Sequence, residues 1–310
     1  AFYQRFINCM RYSLTSRIKG ALIGALLGQS LTTTKEEPLY CKAAVQGLYS
    51  LLSQGGFNLE EYNQQFQQQD WDLDIADDLM LLNSILATLP IALFFHENHL
   101  KLRENLLLII KDLNHPLIRD GVLSVCYLIA QSLNEKINQN TLISEITYFI
   151  GETKTEIPEK LRQVNNLIAE NAGYFELQNC LDKENSISNI IATAFYCFVS
   201  TKEDFRLTCS QAIKNQRNSR VCGAIAGAIS GAYNSMAGIP TTWHLGLDEA
   251  KLAQWGITSF SQVVELADAL VAVWSGAYHV LPQPIEVQEV KPGLLSPLEA
   301  IAAPYIIRLR

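Results

Sequence analysis

Apolar residues recur along this chain at helical intervals of three and four, and almost no stretch alternates apolar with polar positions over a strand's length. The pattern predicts helices over 17–31, 41–54, 58–69, 74–95, 99–112, 116–133, 141–150, 158–171, 186–200, 204–216, 221–236 and 261–278. Local punctuation supports several of these. Asn58 followed by Glu61 reads as a capping box, Pro116 sits where a first-turn proline belongs, and Gly55 with Gly56 reads as a helix stop. The fold class is therefore all-α. Pro282, Pro284, Pro292, Pro297 and Pro304 exclude long helices near the end, so residues 281–310 are expected to form a proline-rich tail packed on a single helical domain over 12–280.

Two segments echo each other. Gly20, Gly24 and Gly28 recur every four residues, as do Gly223, Gly227 and Gly231, with alanines alongside at Ala21, Ala25, Ala224 and Ala228. That spacing aligns each trio on one helical ridge. A glycine inside a helix costs about 0.5–1 kcal/mol relative to alanine, so another interaction must offset six of them. Close backbone approach does so, and the two helices are expected at the centre, packed tightly.

The stretch Leu79–Phe95 carries no charge but is interrupted by Asn83, Ser84, Thr88 and Pro90, and it falls short of the roughly 20 residues a membrane span needs. It is expected to be a buried helix, kinked or broken near Pro90. With 48% hydrophobic and 18% charged residues the chain can bury a large core, and its net charge of −7 argues against a nucleic-acid partner. The seven cysteines lie singly, without the paired spacing of a zinc site or disulfide framework, and are expected to be buried thiols. Ala1–Arg11 shows no apolar leader pattern, and the expected location is the cytoplasm. His96 and His99, three apart at a polar junction, are expected to be solvated.

The run from Ser16 to Leu31, carrying Arg17, Gly20, Ala21, Leu22, Gly24 and Gly28, resembles the opening helix of ADP-ribosylglycohydrolases. The run Gly223–Ala232, followed by Ile239-Pro240 and Trp243, is similar to their late glycine-rich helix. Weaker echoes lie between them at Leu89–Phe94, Asn114-His115-Pro116 and Ala194–Phe198. The resemblance implies a single-domain orthogonal helical bundle built on central glycine-rich helices. It also implies an enzyme that cleaves an ADP-ribose bond with two Mg²⁺ ions, held by one acidic motif before the second helix and another before the late glycine-rich helix. Hard divalent cations want such oxygen ligands.

This chain departs from the family pattern at both acidic motifs. The first falls on Pro38-Leu39-Tyr40-Cys41 and the second on Asn218-Ser219-Arg220-Val221, while the family's Gly-Asp after the first helix becomes Gly28-Gln29. A permanently protonated guanidinium beside a divalent ion would oppose its binding by several kcal/mol. The expectation is a catalytically inactive member with no catalytic residues, no metal and no cofactor. Its remnant pocket would be lined by Tyr40, Arg217, Asn218, Arg220 and His115, with a binding or regulatory role. Arg220 would stand where a metal's charge stood and, with the helix start near Val221, would hold a phosphate-bearing or ADP-ribose-like molecule. A protein partner is a further expectation. The alternative is an active hydrolase of ADP-ribosyl or related bonds using Mg²⁺ on relocated ligands, from Glu36, Glu37 or the run Asp70, Asp72, Asp74, Asp77 and Asp78.

Overall fold

The computed structural model describes residues 11–31, 42–67, 77–181, 186–214, 219–244 and 246–277. Among them the chain forms no strand. Its helices are α1 (Leu14–Ser30), α2 (Lys42–Ser53), α3 (Leu59–Gln67), α4 (Asp77–Phe94), α5 (His99–Ile109), α6 (Pro116–Leu133), α7 (Leu142–Ile150) and α8 (Ile157–Ala169). They continue as α9 (Tyr174–Cys180), α10 (Ile187–Ser200), α11 (Phe205–Ala212), α12 (Ser219–Asn234), α13 (Thr241–His244), α14 (Glu249–Gln254) and α15 (Phe260–Trp274). The proline-rich tail lies outside the described residues.

The two glycine ridges face each other. Gly20 meets Gly231, Gly24 meets Gly227 and Gly28 meets Gly223, so α1 and α12 run antiparallel. A Cβ on any of the six would sit inside the facing carbonyl oxygen. Backbone therefore packs directly on backbone, which is the compensation that six helical glycines require. The remaining helices wrap this pair with one connected apolar core.

The directions of the wrapping helices matter most for the site. Arg17, on the first turn of α1, donates from Nη1 to the Leu133 carbonyl at the end of α6, so α6 also runs against α1. Leu81 of α4 lies opposite Gly121 of α6, and Thr88 Oγ1 lies 3.5 Å from Cys126 Sγ, which makes α4 parallel to α6. Ile187 and Ile191 of α10 also face Gly121, while Asn234 Nδ2 at the end of α12 donates to the Lys202 carbonyl just past α10 at 2.9 Å. The N-termini of α4, α6, α10 and α12 thus lie at one end of the bundle, together with the C-terminus of α1.

Several local expectations hold in modified form. Gly55 adopts φ 61° beyond α2, and the Gly56 N–H returns to the Leu51 carbonyl, so the chain stops there as the sequence predicts. Asn58 Oδ1 accepts from the Glu60 and Glu61 N–H groups, but the Glu61 carboxylate accepts from Ser53 instead of closing the box. Helix α4 runs unbroken through Pro90, contrary to the predicted break. The turn before the proline is supported from outside, because buried Tyr62 donates its hydroxyl to the Ala87 carbonyl at 2.6 Å. Cys126, Cys197, Cys209 and Cys222 are buried as expected, but Cys180 at the end of α9 is exposed.

His96 corrects another expectation, since it is buried rather than solvated. Its Nδ1 donates to the Leu93 carbonyl at 2.8 Å, and its ring packs on Trp274 with centroids 5.1 Å apart. Burial holds its pKa below 6.5 against the raising effects of the Leu93 hydrogen bond and Glu97, and the nearby Arg17 and His99 push the same way as burial. Half-buried His99 is likewise lowered, by burial and then by Lys136, with Glu145 opposing. Groups lowered on folding contribute their full stability above the unfolded value of about 6.5 and lose it as pH falls through the folded-state value. Urea midpoints are therefore expected to fall between pH 7 and pH 5, with a slope of at most ~1.4 kcal/mol per pH unit for each histidine. His96→Gln should flatten part of that slope, and an unchanged profile in the variant would remove His96 from the account.

Candidate functional site

Each helix N-terminus carries unpaired N–H groups and about half a positive charge. Four such ends gathered at one face make it a favourable place for an anion, and the sequence punctuates them accordingly. His115 caps α6, its Nδ1 accepting from the Ile118 N–H at 3.3 Å, so the ring proton sits on Nε2. Ser186 caps α10 by accepting from the Asn189 N–H, and its hydroxyl lies 2.7 Å from that of Ser188. At α4, Asp78 Oδ1 accepts from the Leu79 N–H at 3.0 Å.

Arg220 occupies the first turn of α12, half-buried between buried Ser219 and Val221. Three residues on, Gly223 touches Gly28 at the last turn of α1. The next residue of α1, Gln29, is buried, and its Oε1 accepts the indole N–H of Trp255 at 2.9 Å. Gln29 is therefore held by the turn between α14 and α15, and its side-chain oxygen is hydrogen-bonded within the protein. Of the predicted pocket residues, the structure places Arg220 and His115 at this end. Tyr40, Arg217 and Asn218 lie outside the described residues, as do Glu36, Glu37, Asp70, Asp72 and Asp74. Asp77 opens α4, and Asp78 is engaged in its own first turn. Among the described residues no three His, Cys, Asp or Glu side chains group as a metal site.

Two features here were not foreseen. One is a cleft of about 290 Å³ between the last turn of α1 (Leu27, Ser30, Leu31) and the α13–α14 segment (Thr242, Trp243, Lys251). Trp243 packs against Phe205 with ring centroids 5.9 Å apart, and Lys251 Nζ donates to the Gly246 carbonyl at 3.1 Å. The other is Asp120, a fully buried carboxylate one turn into α6. Its Oδ1 accepts from Arg119 Nε at 2.8 Å, and its Oδ2 accepts from the hydroxyls of Thr155, at 2.6 Å, and Thr153. The only hint of it in the sequence is a lone acid just ahead of the apolar run from Gly121 to Leu133.

A family model for ADP-ribosylglycohydrolases matches residues 59–279, more than two thirds of the chain. The chain belongs to the ADP-ribosylglycohydrolase family. Among solved structures it is similar to one titled "ADP-ribosylglycohydrolase-related protein complex", with a TM-score of 0.56 and 17% identity over 84% of this chain and 99% of that one. At that identity the likeness speaks to the fold, which is the all-α fold of the family. No curated protein matches the chain. No described helix is long and apolar enough to cross a membrane. The family match begins after α1 and α2, so the first glycine ridge is tied to the late one by packing rather than by the family model.

Proposed function

We propose that this chain is a non-catalytic member of the ADP-ribosylglycohydrolase family, whose site binds a phosphate-bearing small molecule of the ADP-ribose kind without a metal. The observation that supports this most is the placement of Arg220 on the first turn of α12, at the end where four helix N-termini gather. The guanidinium is a permanent cation with a planar set of donors that suits phosphate, and the helix ends add to its field. Counting from the glycine-rich helices puts Arg220 and Gln29 at positions where the family carries carboxylates. Arg220 would repel a divalent ion, and Gln29 is neutral and already hydrogen-bonded to Trp255. Two Mg²⁺ ions do not fit these residues, and no hydrolytic step is derived through them. The same reading takes the protein as cytoplasmic and as acting through binding, with a protein partner as the next link.

Arg220→Ala tests the reading at one residue. A charge-assisted hydrogen bond to phosphate contributes about 1.5–3 kcal/mol, so affinity for ADP-ribose in EDTA should fall at least about tenfold. Calorimetric titration of the variant measures it, and an affinity equal to that of the parent chain would remove Arg220 from the site.

A further inference from the structure

Arg119 stands out among the cations at the site end because a buried carboxylate holds its guanidinium in place. Its Nε donates to Asp120 Oδ1 and its Nη2 lies 2.8 Å from the same oxygen, with a longer contact of 3.4 Å to Thr153 Oγ1. Asp120 is fully buried, and the Thr153 and Thr155 hydroxyls occupy its other oxygen. The carboxylate thus has one direction left for the guanidinium, and the pair is fixed by partners from two parts of the chain. Arg119 itself stays about two-fifths exposed, and among the described residues its Nη1 has no partner. One edge of the fork is locked and the other faces outward, on the first turn of α6 one turn from His115.

A guanidinium oriented in this way binds an anion at lower entropic cost than a free surface arginine, because its rotamer is already fixed. Burying Asp120 requires compensation, which a threonine alone in place of the arginine could also have supplied by hydrogen bonding. The outward edge, the exposure and the neighbouring helix N-termini together give the arrangement a use beyond that compensation. We propose that Arg119 is a preorganised contact for an anionic phosphoryl group, with Asp120, Thr153 and Thr155 as the positioning residues behind it. The inference rests on the reading that this end of the bundle binds an anion, and it adds a cation from α6 to the one from α12.

The test is titration with inorganic pyrophosphate in EDTA, by calorimetry, on the parent chain and on Arg119→Gln, Arg119→Lys, Arg220→Ala and Lys101→Gln. Lys101 is an exposed residue of α5 and controls for loss of one charge. Arg119→Gln is expected to weaken binding at least tenfold, and Arg119→Lys to recover less than a third of that loss, since an ammonium lacks the fork. Lys101→Gln should leave it unchanged. In the parent chain the Arg119 side-chain Nε–H resonance should shift on adding pyrophosphate, a readout that needs no variant. Full affinity in Arg119→Gln while Arg220→Ala is weakened would overturn this inference and leave the broader reading standing. An unmoved Arg119 resonance at saturating pyrophosphate would also overturn it. A parent chain that binds no pyrophosphate would overturn both.

Discussion

Gly24→Ala is expected to destabilise the protein by about 3 kcal/mol or more, at the upper end of what overpacking costs. The added methyl would meet the carbonyl of Gly227 across the α1–α12 contact, and Phe205 Cε2 at 3.2 Å on another side. Overpacking in most cores is relieved by a side chain changing rotamer. Here the obstruction is main chain on both sides, held by two full helices, so the helices themselves must separate. Separation would also loosen the flanking glycine pairs, Gly20 with Gly231 and Gly28 with Gly223. Gly227→Ala should cost a similar amount, and combining the two should cost less than the sum, because the first already opens the gap. Gly56→Ala is the control, since a Cβ there meets nothing within 4 Å. Its change should stay within about 0.5 kcal/mol. Urea denaturation of the four variants measures all of this. Equal midpoints for Gly24→Ala and Gly56→Ala would contradict the close approach.

Arg17→Ala should be nearly as costly, at roughly 3–5 kcal/mol, through a different mechanism. The C-termini of α4 and α6 end around the first turn of α1, and each carries unpaired carbonyls and partial negative charge. Arg17, with no exposed surface, supplies the cation between them. It donates to the Leu133 carbonyl and lies 3.7 Å from the Glu135 carboxylate, while Asn134 ties the same turn to the His96 carbonyl at 2.7 Å. Truncation would leave that carbonyl without its donor, strip Glu135 of its partner and open a cavity the size of the side chain. Burial lowers the Arg17 pKa, with Glu135 opposing, but the guanidinium remains protonated throughout the working range. Thermal unfolding with matched denaturant curves would check the magnitude, and a loss below about 1 kcal/mol would show that the helix ends do not need the cation.

Most of the helical frame was legible because long amphipathic or apolar segments carry a strong periodic signal. Pro116, Asn58 and the Gly55–Gly56 pair marked their boundaries with local chemistry alone. Helices α9, α13 and α14, with seven, four and six residues, were not read from the sequence, because fewer than two turns give no period to detect. The glycine ridges predicted their own partner because their cost has few remedies. Pro90 misled because the support for α4 comes from Tyr62, on another helix. His96 misled because polar neighbours in sequence say nothing of Arg17 and Trp274, which cover it in space.

The site was less legible for the same reason. Arg220 and His115 could be named because they sit next to recognisable helix starts. The hydrogen bond from Trp255 to Gln29 joins residues 226 apart, and Thr153 and Thr155 reach Asp120 from 33 and 35 residues away. No spacing rule connects such pairs. What the sequence carried was composition at positions, and what the fold added was the direction of four helices.

The most direct test of the central claim is calorimetric titration of the purified parent chain with ADP-ribose, once with Mg²⁺ and once with EDTA. A metal-free pocket predicts the same affinity in both buffers. Binding that appears only with Mg²⁺ would contradict the account and point to a metal-dependent hydrolase, and binding in neither would leave the gathered helix ends without the ligand proposed for them.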